Sequence, residues 1–303
     1  MRARDLVHRT VYAIVRYVIA LIQIPSIEAC EVLCSILAFL ASDVLRIRRR
    51  VVDENLRFAF PHMNRAERDV VQRRMWKHLL LMACEVAHAP RKIHRTNWYK
   101  FVTLERKAEL IKYLMDPRPT ALVSGHFGNF ELGGYITGLL GFPTFTVARP
   151  LDNPYIDRFV NRFRQVYGQY ILPKQGSAGQ LAAVLEAGHA ITLLGDQHAG
   201  PKGCWVDFFG RPASCHKAIA LFTLTSGAPM LVVYARRTRP LHFSVGLEGI
   251  ADPVFRGPEL NGVPALTRWY NEKMELAIRR TPDQYWWLHR RWKDAPPRKR
   301  MAA

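Results

Sequence analysis

Beyond the break at Asp116-Pro-Arg-Pro119, the chain becomes a series of short, almost wholly apolar runs, each set off by a stretch with helical spacing. The runs at 120–124, 144–148, 190–194 and 229–235 are too short for stable helices and too apolar to lie half in water. That is the pattern of strands buried on both faces. Helical periodicity covers 153–167, 177–187, 215–225 and 263–279, while 241–248 alternates like a more exposed strand. Strands alternating with helices predict an α/β fold with a mostly parallel central sheet flanked by helices.

The region ahead of the break differs. From Thr10 to Leu45 the chain is apolar but interrupted by Arg16, Pro25, Glu28, Glu31 and Asp43, so no clean run long enough to span a bilayer is present. Arginines bracket this stretch, with Arg2, Arg4 and Arg9 before it and Arg46, Arg48, Arg49 and Arg50 after it. A helix or helical hairpin lying at an anionic membrane surface fits this arrangement, and a buried helical hairpin is the alternative. Asn64-Arg-Ala-Glu67 has capping-box spacing and opens a helical pattern running toward His88, and a further helix is expected over 104–115. The expected organisation is an anchor at 1–50, a helical segment packing on the core at 51–117, the α/β core at 118–293 and a loose basic tail at 294–303.

Charge narrows the partners. Forty-four Lys and Arg against 25 Asp and Glu give a formal net charge of +19, which calls for nucleic acid, phospholipid or an acidic carrier. The chain has no zinc-ligand spacing, aromatic RNA-binding signature or basic region leading into heptads, so nucleic acid is set aside. Cys30, Cys34, Cys84, Cys204 and Cys215 are odd in number and scattered, which suits a reducing compartment, with Cys30 and Cys34 read as apolar packing.

The chemistry-bearing segment is Ser124-Gly-His-Phe-Gly-Asn-Phe-Glu131. His126 falls at the carboxyl end of a predicted buried strand, where open α/β sheets gather their ligands. A histidine there can take a proton from a hydroxyl, and Glu131, in the first turn of the next helix, is placed to bond the other ring nitrogen. By spacing alone, the pattern equally describes a strand-end histidine satisfied by hydrogen bonds.

Further blocks accompany it. Ala148-Arg-Pro-Leu-Asp-Asn-Pro154 is followed by Arg164 and Gly168, then Leu194-Gly-Asp-Gln197, Gly200-Pro-Lys-Gly203, Val206-Asp-Phe-Phe-Gly-Arg-Pro-Ala213 and Tyr285-Trp-Trp-Leu-His-Arg-Arg-Trp292. Together these blocks resemble the bacterial lipid A biosynthesis acyltransferases, the late lauroyl and myristoyl transferases within the wider lysophospholipid acyltransferase superfamily. The resemblance implies a catalytic pair of His126 and Glu131, with Phe127, Asn129, Arg149, Arg164, Asp196 and Gln197 binding substrate. Arginine suits phosphate because its planar fork meets two oxygens at once. His198 and Ala199 stand where many relatives carry a further acidic residue. Lys217 can meet an anion at a helix start or sit on the surface, and Phe208-Phe209 and Trp286-Trp287 can line a groove for an acyl chain or touch the bilayer interface, with core packing the commoner place for aromatic clusters.

The resemblance further implies acyl transfer from acyl carrier protein, or acyl-coenzyme A, to a hydroxyl of a lipid A precursor at the cytoplasmic face of the inner membrane, with no metal or organic cofactor. The alternatives are another glycolipid or phospholipid acceptor and, more remotely, a non-catalytic basic protein that binds membrane or nucleic acid.

Overall fold

The computed structural model describes residues 2–173, 176 and 178–293, so the basic tail expected at 294–303 lies outside the described residues. The helical N-terminal region runs α1 (Arg2–Ile22), α2 (Ile27–Phe39), α3 (Arg49–Ala59) and α4 (Arg65–Lys92). Next come β1 (Val102–Leu104), α5 (Lys107–Leu114), β2 (Thr120–Ser124), α6 (Phe130–Leu139), β3 (Thr144–Ala148), α7 (Pro154–Gln165), β4 (Gln169–Pro173), α8 (Ala178–Glu186) and β5 (Ala190–Leu194). The chain closes with β6 (Cys204–Phe208), β7 (Arg211–Cys215), α9 (Lys217–Ser226), β8 (Met230–Arg239), β9 (His242–Ala251) and α10 (Val263–Arg280).

The expected α/β architecture is present. Seven strands form one sheet in the order β1-β9-β8-β2-β5-β3-β4, and β6 and β7 make a separate antiparallel hairpin. The strands from β8 to β4 run parallel, whereas β9 is antiparallel to β8 and β1 is parallel to β9. All five residues of β2 are buried because both faces are covered. Ala121 and Val123 pack among side chains of α9 and α10, while Leu122 packs with Leu110 and Tyr113 of α5 on the other face.

The alternating segment at 241–248 forms a strand as expected, β9, but most of it is buried where more exposure was expected. Its edge is covered by β1, paired from Val102↔Phe243 to Leu104↔Val245, and three residues carry too little periodicity to have announced that cover. β8 outlasts its apolar run and continues to Arg239 because β9 pairs along its length.

α4 begins at the expected capping box: Asn64 Oδ1 accepts the Glu67 amide at 3.0 Å, and Glu67 returns the contact to the Asn64 amide at 2.7 Å. Val52 and Leu56 of α3 and Met75 of α4 share a core with the sheet residues Ala121, Val123, Met230 and Val232. Cys30 and Cys34 are buried, and Cys34 Sγ lies 3.8 Å from Cys84 Sγ of α4. No single helix among the described residues is long and apolar enough to cross a membrane, although Ala3–Ile22 and Ile27–Val44 meet that test as a pair bent by 118°.

Candidate active site

Strand register builds the site. β2 and β5 are adjacent and parallel, with Ser124 opposite Leu194, and the ladder continues through the Gly195 amide to the Ser124 carbonyl at 2.8 Å. His126 and Asp196 each stand two residues beyond that pair. The sheet therefore delivers them side by side at the carboxyl ends of two central strands. Gly125 makes room for the approach, since a β-carbon there would lie 3.2 Å from the Asp196 carboxylate.

Asp196 grips His126 at two points. One carboxylate oxygen accepts the His126 backbone amide at 2.8 Å, and the other lies 2.8 Å from Nδ1. An ionised carboxylate only accepts, so Nδ1 carries the proton and Nε2 keeps its lone pair. The side chain of Asp196 is 4% exposed against 16% for His126, so the orienter is sealed while the base can be reached. Burial opposes protonation of His126, but the charge and hydrogen bond of Asp196, aided by Glu131, outweigh it and raise its pKa above the usual histidine value. For Asp196, burial pushes the pKa up, and the charge and hydrogen bonds of His126 reverse this to a net lowering.

His126 lines a cavity of about 190 Å³ with Arg48, Asp196, Gln197, Trp286 and His289. Trp286 and Phe130 hold the imidazole edge-on, at ring centroid distances of 5.5 and 4.9 Å. The Gln197 amide nitrogen is 3.4 Å from Nε2. The loop carrying Trp286 and His289 is fixed by Asn55 of α3, whose Nδ2 donates to the carbonyls of Trp287 and His289, both at 2.7 Å.

The expected bond between His126 and Glu131 is not formed. Five residues on, in the first turn of α6, the Glu131 carboxylate is taken by Arg164 of α7, at 2.6 and 3.1 Å, and Asp196 occupies Nδ1 instead. Phe127 and Asn129 lie inside the scaffold, not on the cavity wall. Phe127 is a core side chain whose backbone bridges to Tyr285, and Asn129 is fully buried, capping α6 by accepting the Leu132 amide at 3.1 Å. Arg149 is exposed and pairs with Asp152 at 2.6 Å, away from the lining of the His126 cavity. Lys217 is exposed at the start of α9, and Phe208, Phe209 and Trp287 are core. Arg48 and His289 were not identified from sequence as cavity residues, and Trp286, for which groove lining was one of the readings, does line the cavity. Trp286 joins His126 directly, its amide donating to the His126 carbonyl at 3.0 Å, while Arg48 and His289 are brought there on α3 and the closing loop, which Asn55 ties together.

Behind the turn sits a buried polar network. Arg237 of β8 donates to both carboxylate oxygens of Glu85 in α4, at 2.6 and 2.7 Å, and lies 2.6 Å from His78 Nδ1. Burial first, then the Arg237 charge, push the His78 pKa well below its usual value, so the ring is neutral. Its Nδ1 accepts from Arg237 and its Nε2–H donates to the Gly128 carbonyl at 3.2 Å. Glu85 also accepts from Asn129 at 2.8 Å. Gly128, at φ +59°, is required here: a β-carbon would fall 2.1 Å from the Ala235 carbonyl oxygen. Arg237→Met leaves Glu85 buried without its cation, and we expect a loss of about 3–5 kcal/mol of stability by denaturant unfolding.

Sequence comparison identifies the family. The family described as bacterial lipid A biosynthesis acyltransferase matches residues 2–294. The lipid A biosynthesis lauroyltransferase of Escherichia coli (strain K12) is 28% identical over 263 residues, covering 85% of this chain and 83% of its own. The lipid A biosynthesis palmitoleoyltransferase of the same organism is 26% identical over 271 residues, covering 85% and 82%. Among solved structures, the 1-acyl-sn-glycerophosphate acyltransferase PlsC of Thermotoga maritima aligns with 86% of this chain and 100% of its own, at 13% identity and a TM-score of 0.38. With one family accounting for nearly every residue, the chain belongs to the bacterial lipid A biosynthesis acyltransferases.

Proposed function

We propose that this acyltransferase moves a fatty acyl group from a thioester donor to a hydroxyl of a lipid A precursor, with His126 as general base and Asp196 as its orienting carboxylate. The observation that carries the reading is the bond from Nδ1 to Asp196, which leaves an unprotonated Nε2 on a cavity wall. The acceptor hydroxyl gives its proton to Nε2 as its oxygen attacks the thioester carbonyl. The tetrahedral intermediate then breaks its C–S bond, and the imidazolium returns the proton to the leaving sulfur. The products are an ester and a free thiol, with no acyl-enzyme. Gln197 is assigned as a donor to the developing oxyanion, the charge that such sites stabilise most.

The acyl chain is assigned to an apolar groove of about 740 Å³ lined by α1, α4 and α7, including Ile14, Val18, Ala83, Val86, Phe159 and Phe163, and bordered by Glu131. Glu131, which lines the groove, is held there by its ion pair with Arg164. The relatives' names specify different acyl groups at nearly equal similarity, so groove shape is the lever on chain length. Ala83→Trp is expected to shift preference toward shorter chains by about tenfold in relative kcat/KM, the scale on which apolar pockets discriminate methylenes. Competition between thioesters of graded length measures this, and an unaltered chain-length profile removes the groove from the assignment.

Exposed Leu6, Val7 and Leu21 of α1 and Val32, Leu33 and Ile36 of α2 support docking on the cytoplasmic face of the inner membrane. The charge of +19 suits both anionic lipid and an acidic acyl carrier protein. The test is purified protein with acyl carrier protein and coenzyme A thioesters, offered lipid A precursor and other glycolipid and phospholipid acceptors. Transfer to lipid A precursor from the carrier-protein thioester is expected. Transfer confined to another acceptor or to the coenzyme A donor overturns that part of the proposal.

A further inference from the structure

The catalytic cavity has a basic wall that the chemistry above does not use. Arg48, which lines it with His126, adopts a left-handed backbone conformation (φ 52°, ψ 20°) immediately ahead of α3, and its carbonyl accepts the amides of Val51 and Val52 at 3.0 and 3.1 Å. A second cavity of about 310 Å³ is lined in part by Arg50, Arg290 and Lys293. No residue lines both cavities, but Arg48 and Arg50 flank Arg49 at the start of α3, His289 and Arg290 are consecutive, and Asn55 ties the two segments together.

These four cations differ from their neighbours. Arg49 pairs with Asp69 at 2.7 Å, Arg68 with Asp53 at 2.7 Å and Arg73 with Asp43 at 2.5 Å. Arg48, Arg50, Arg290 and Lys293 have no carboxylate partner among the described residues, and Glu54 is the one acidic side chain lining either wall besides Asp196, which His126 occupies. All four are exposed, and cations on neighbouring surfaces without counter-charges favour an anion that reaches them. Arginine forks beside a hydroxyl-activating histidine favour a phosphate carried close to that hydroxyl.

We propose that Arg48, with Arg50, Arg290 and Lys293, forms a phosphate-binding subsite that seats the phosphorylated headgroup of the acceptor lipid and so selects the hydroxyl presented to His126. The subsite rests on the acyl-transfer reading for its purpose, but its ligand chemistry can be tested separately. Arg48 then acts as a binding residue for the headgroup, and Arg50, Arg290 and Lys293 extend the positive surface toward a second anionic group or the rest of the headgroup.

The experiment compares one acceptor lipid with and without its phosphate, in neutral detergent micelles at fixed ionic strength, using the full chain. Wild type is expected to favour the phosphorylated lipid. Arg48→Ala is expected to raise KM for it about tenfold, the worth of one charge-assisted contact, with a smaller change in kcat, and to erase most of the preference. The paired variant Arg50→Ala/Arg290→Ala is expected to act in the same direction, and Arg48→Lys to restore part of the preference. Binding of both lipids to His126→Ala protein, followed by tryptophan fluorescence, gives the same comparison without turnover. A wild type inactive on every lipid that still binds the phosphorylated one more tightly, with Arg48→Ala losing that difference, sinks the acyl-transfer reading and leaves the subsite standing. Equal use and equal binding of both lipids overturn the subsite. So does inorganic phosphate that competes for the site while the two lipids stay indistinguishable, because the site then takes free phosphate and not a headgroup.

Discussion

Replacing His126 with alanine is expected to lower acyl transfer by about 10⁴-fold, the upper range for loss of a positioned general base, while leaving the protein folded. No other side chain lining the catalytic cavity combines an imidazole lone pair with a carboxylate that orients it, and the Gln197 amide meets that lone pair only at a long 3.4 Å. The His289 Nε2 accepts the His198 amide at 3.0 Å and is not open to a hydroxyl. His126 contributes its ring to a cavity wall and not to the core, and unfolding midpoints near wild type are expected. Single-turnover transfer by purified protein measures the effect. A folded His126→Ala protein with near-normal turnover removes the proposed chemistry altogether.

Asp196→Asn is expected to lower kcat by about 10³–10⁴-fold, on the scale seen when a histidine base loses the carboxylate that fixes its tautomer. An asparagine can present either its oxygen or its amide to Nδ1, and the second choice moves the proton to Nε2 and disables the base. The pH profile carries a second signature. Catalysis needs neutral His126, and its pKa is raised above the ordinary 6.5, so in wild type the acid limb of kcat/KM lies above that value and activity climbs as pH rises through it. Without the Asp196 charge, the burial that already opposes protonation is left less opposed, and the limb moves to lower pH as the maximum falls. Glu131→Gln removes only a smaller part of the upward shift and shows a smaller displacement. A larger displacement for Glu131→Gln than for Asp196→Asn reverses the assignment of orienter.

Comparing these two carboxylates shows where sequence reading reached its limit. Glu131 was the visible candidate because it lies five residues from His126, but the first turn of α6 turns its carboxylate to Arg164, thirty-three residues away on α7. Asp196 was visible as a site residue without its role, because its partner lies seventy residues earlier in the chain. The best available sign was positional: Asp196 ends a predicted strand just as His126 does. Strand order turns that similarity into contact, and strand order is not written in either run.

The central strands β2, β3 and β5 could be read directly, since cover on both faces favours short, largely apolar runs and flanking Pro and Gly residues mark the ends, although only β2 is buried along its whole length. The edge strand β4 was not foreseen, because Gln169-Tyr-Ile-Leu-Pro173 is short and only partly buried. Phe127 and Asn129 were legible as members of the motif, but whether a residue faces the cavity or the scaffold depends on what packs beneath it. For Asn129 that is Glu85 of α4.

By itself, then, the sequence determined the α/β class, the strand-end place of His126 and the basic, apolar character of the N-terminal helices. These follow from local periodicity, from turn residues and from charge, all properties of neighbours in the chain. Only the tertiary structure decided which acid holds His126, which arginines face its cavity and which stay paired elsewhere. Those outcomes depend on the register of β2 against β5 and on the seating of α3 against the closing loop. Both are set by the sum of many distant contacts, so no short segment encodes them.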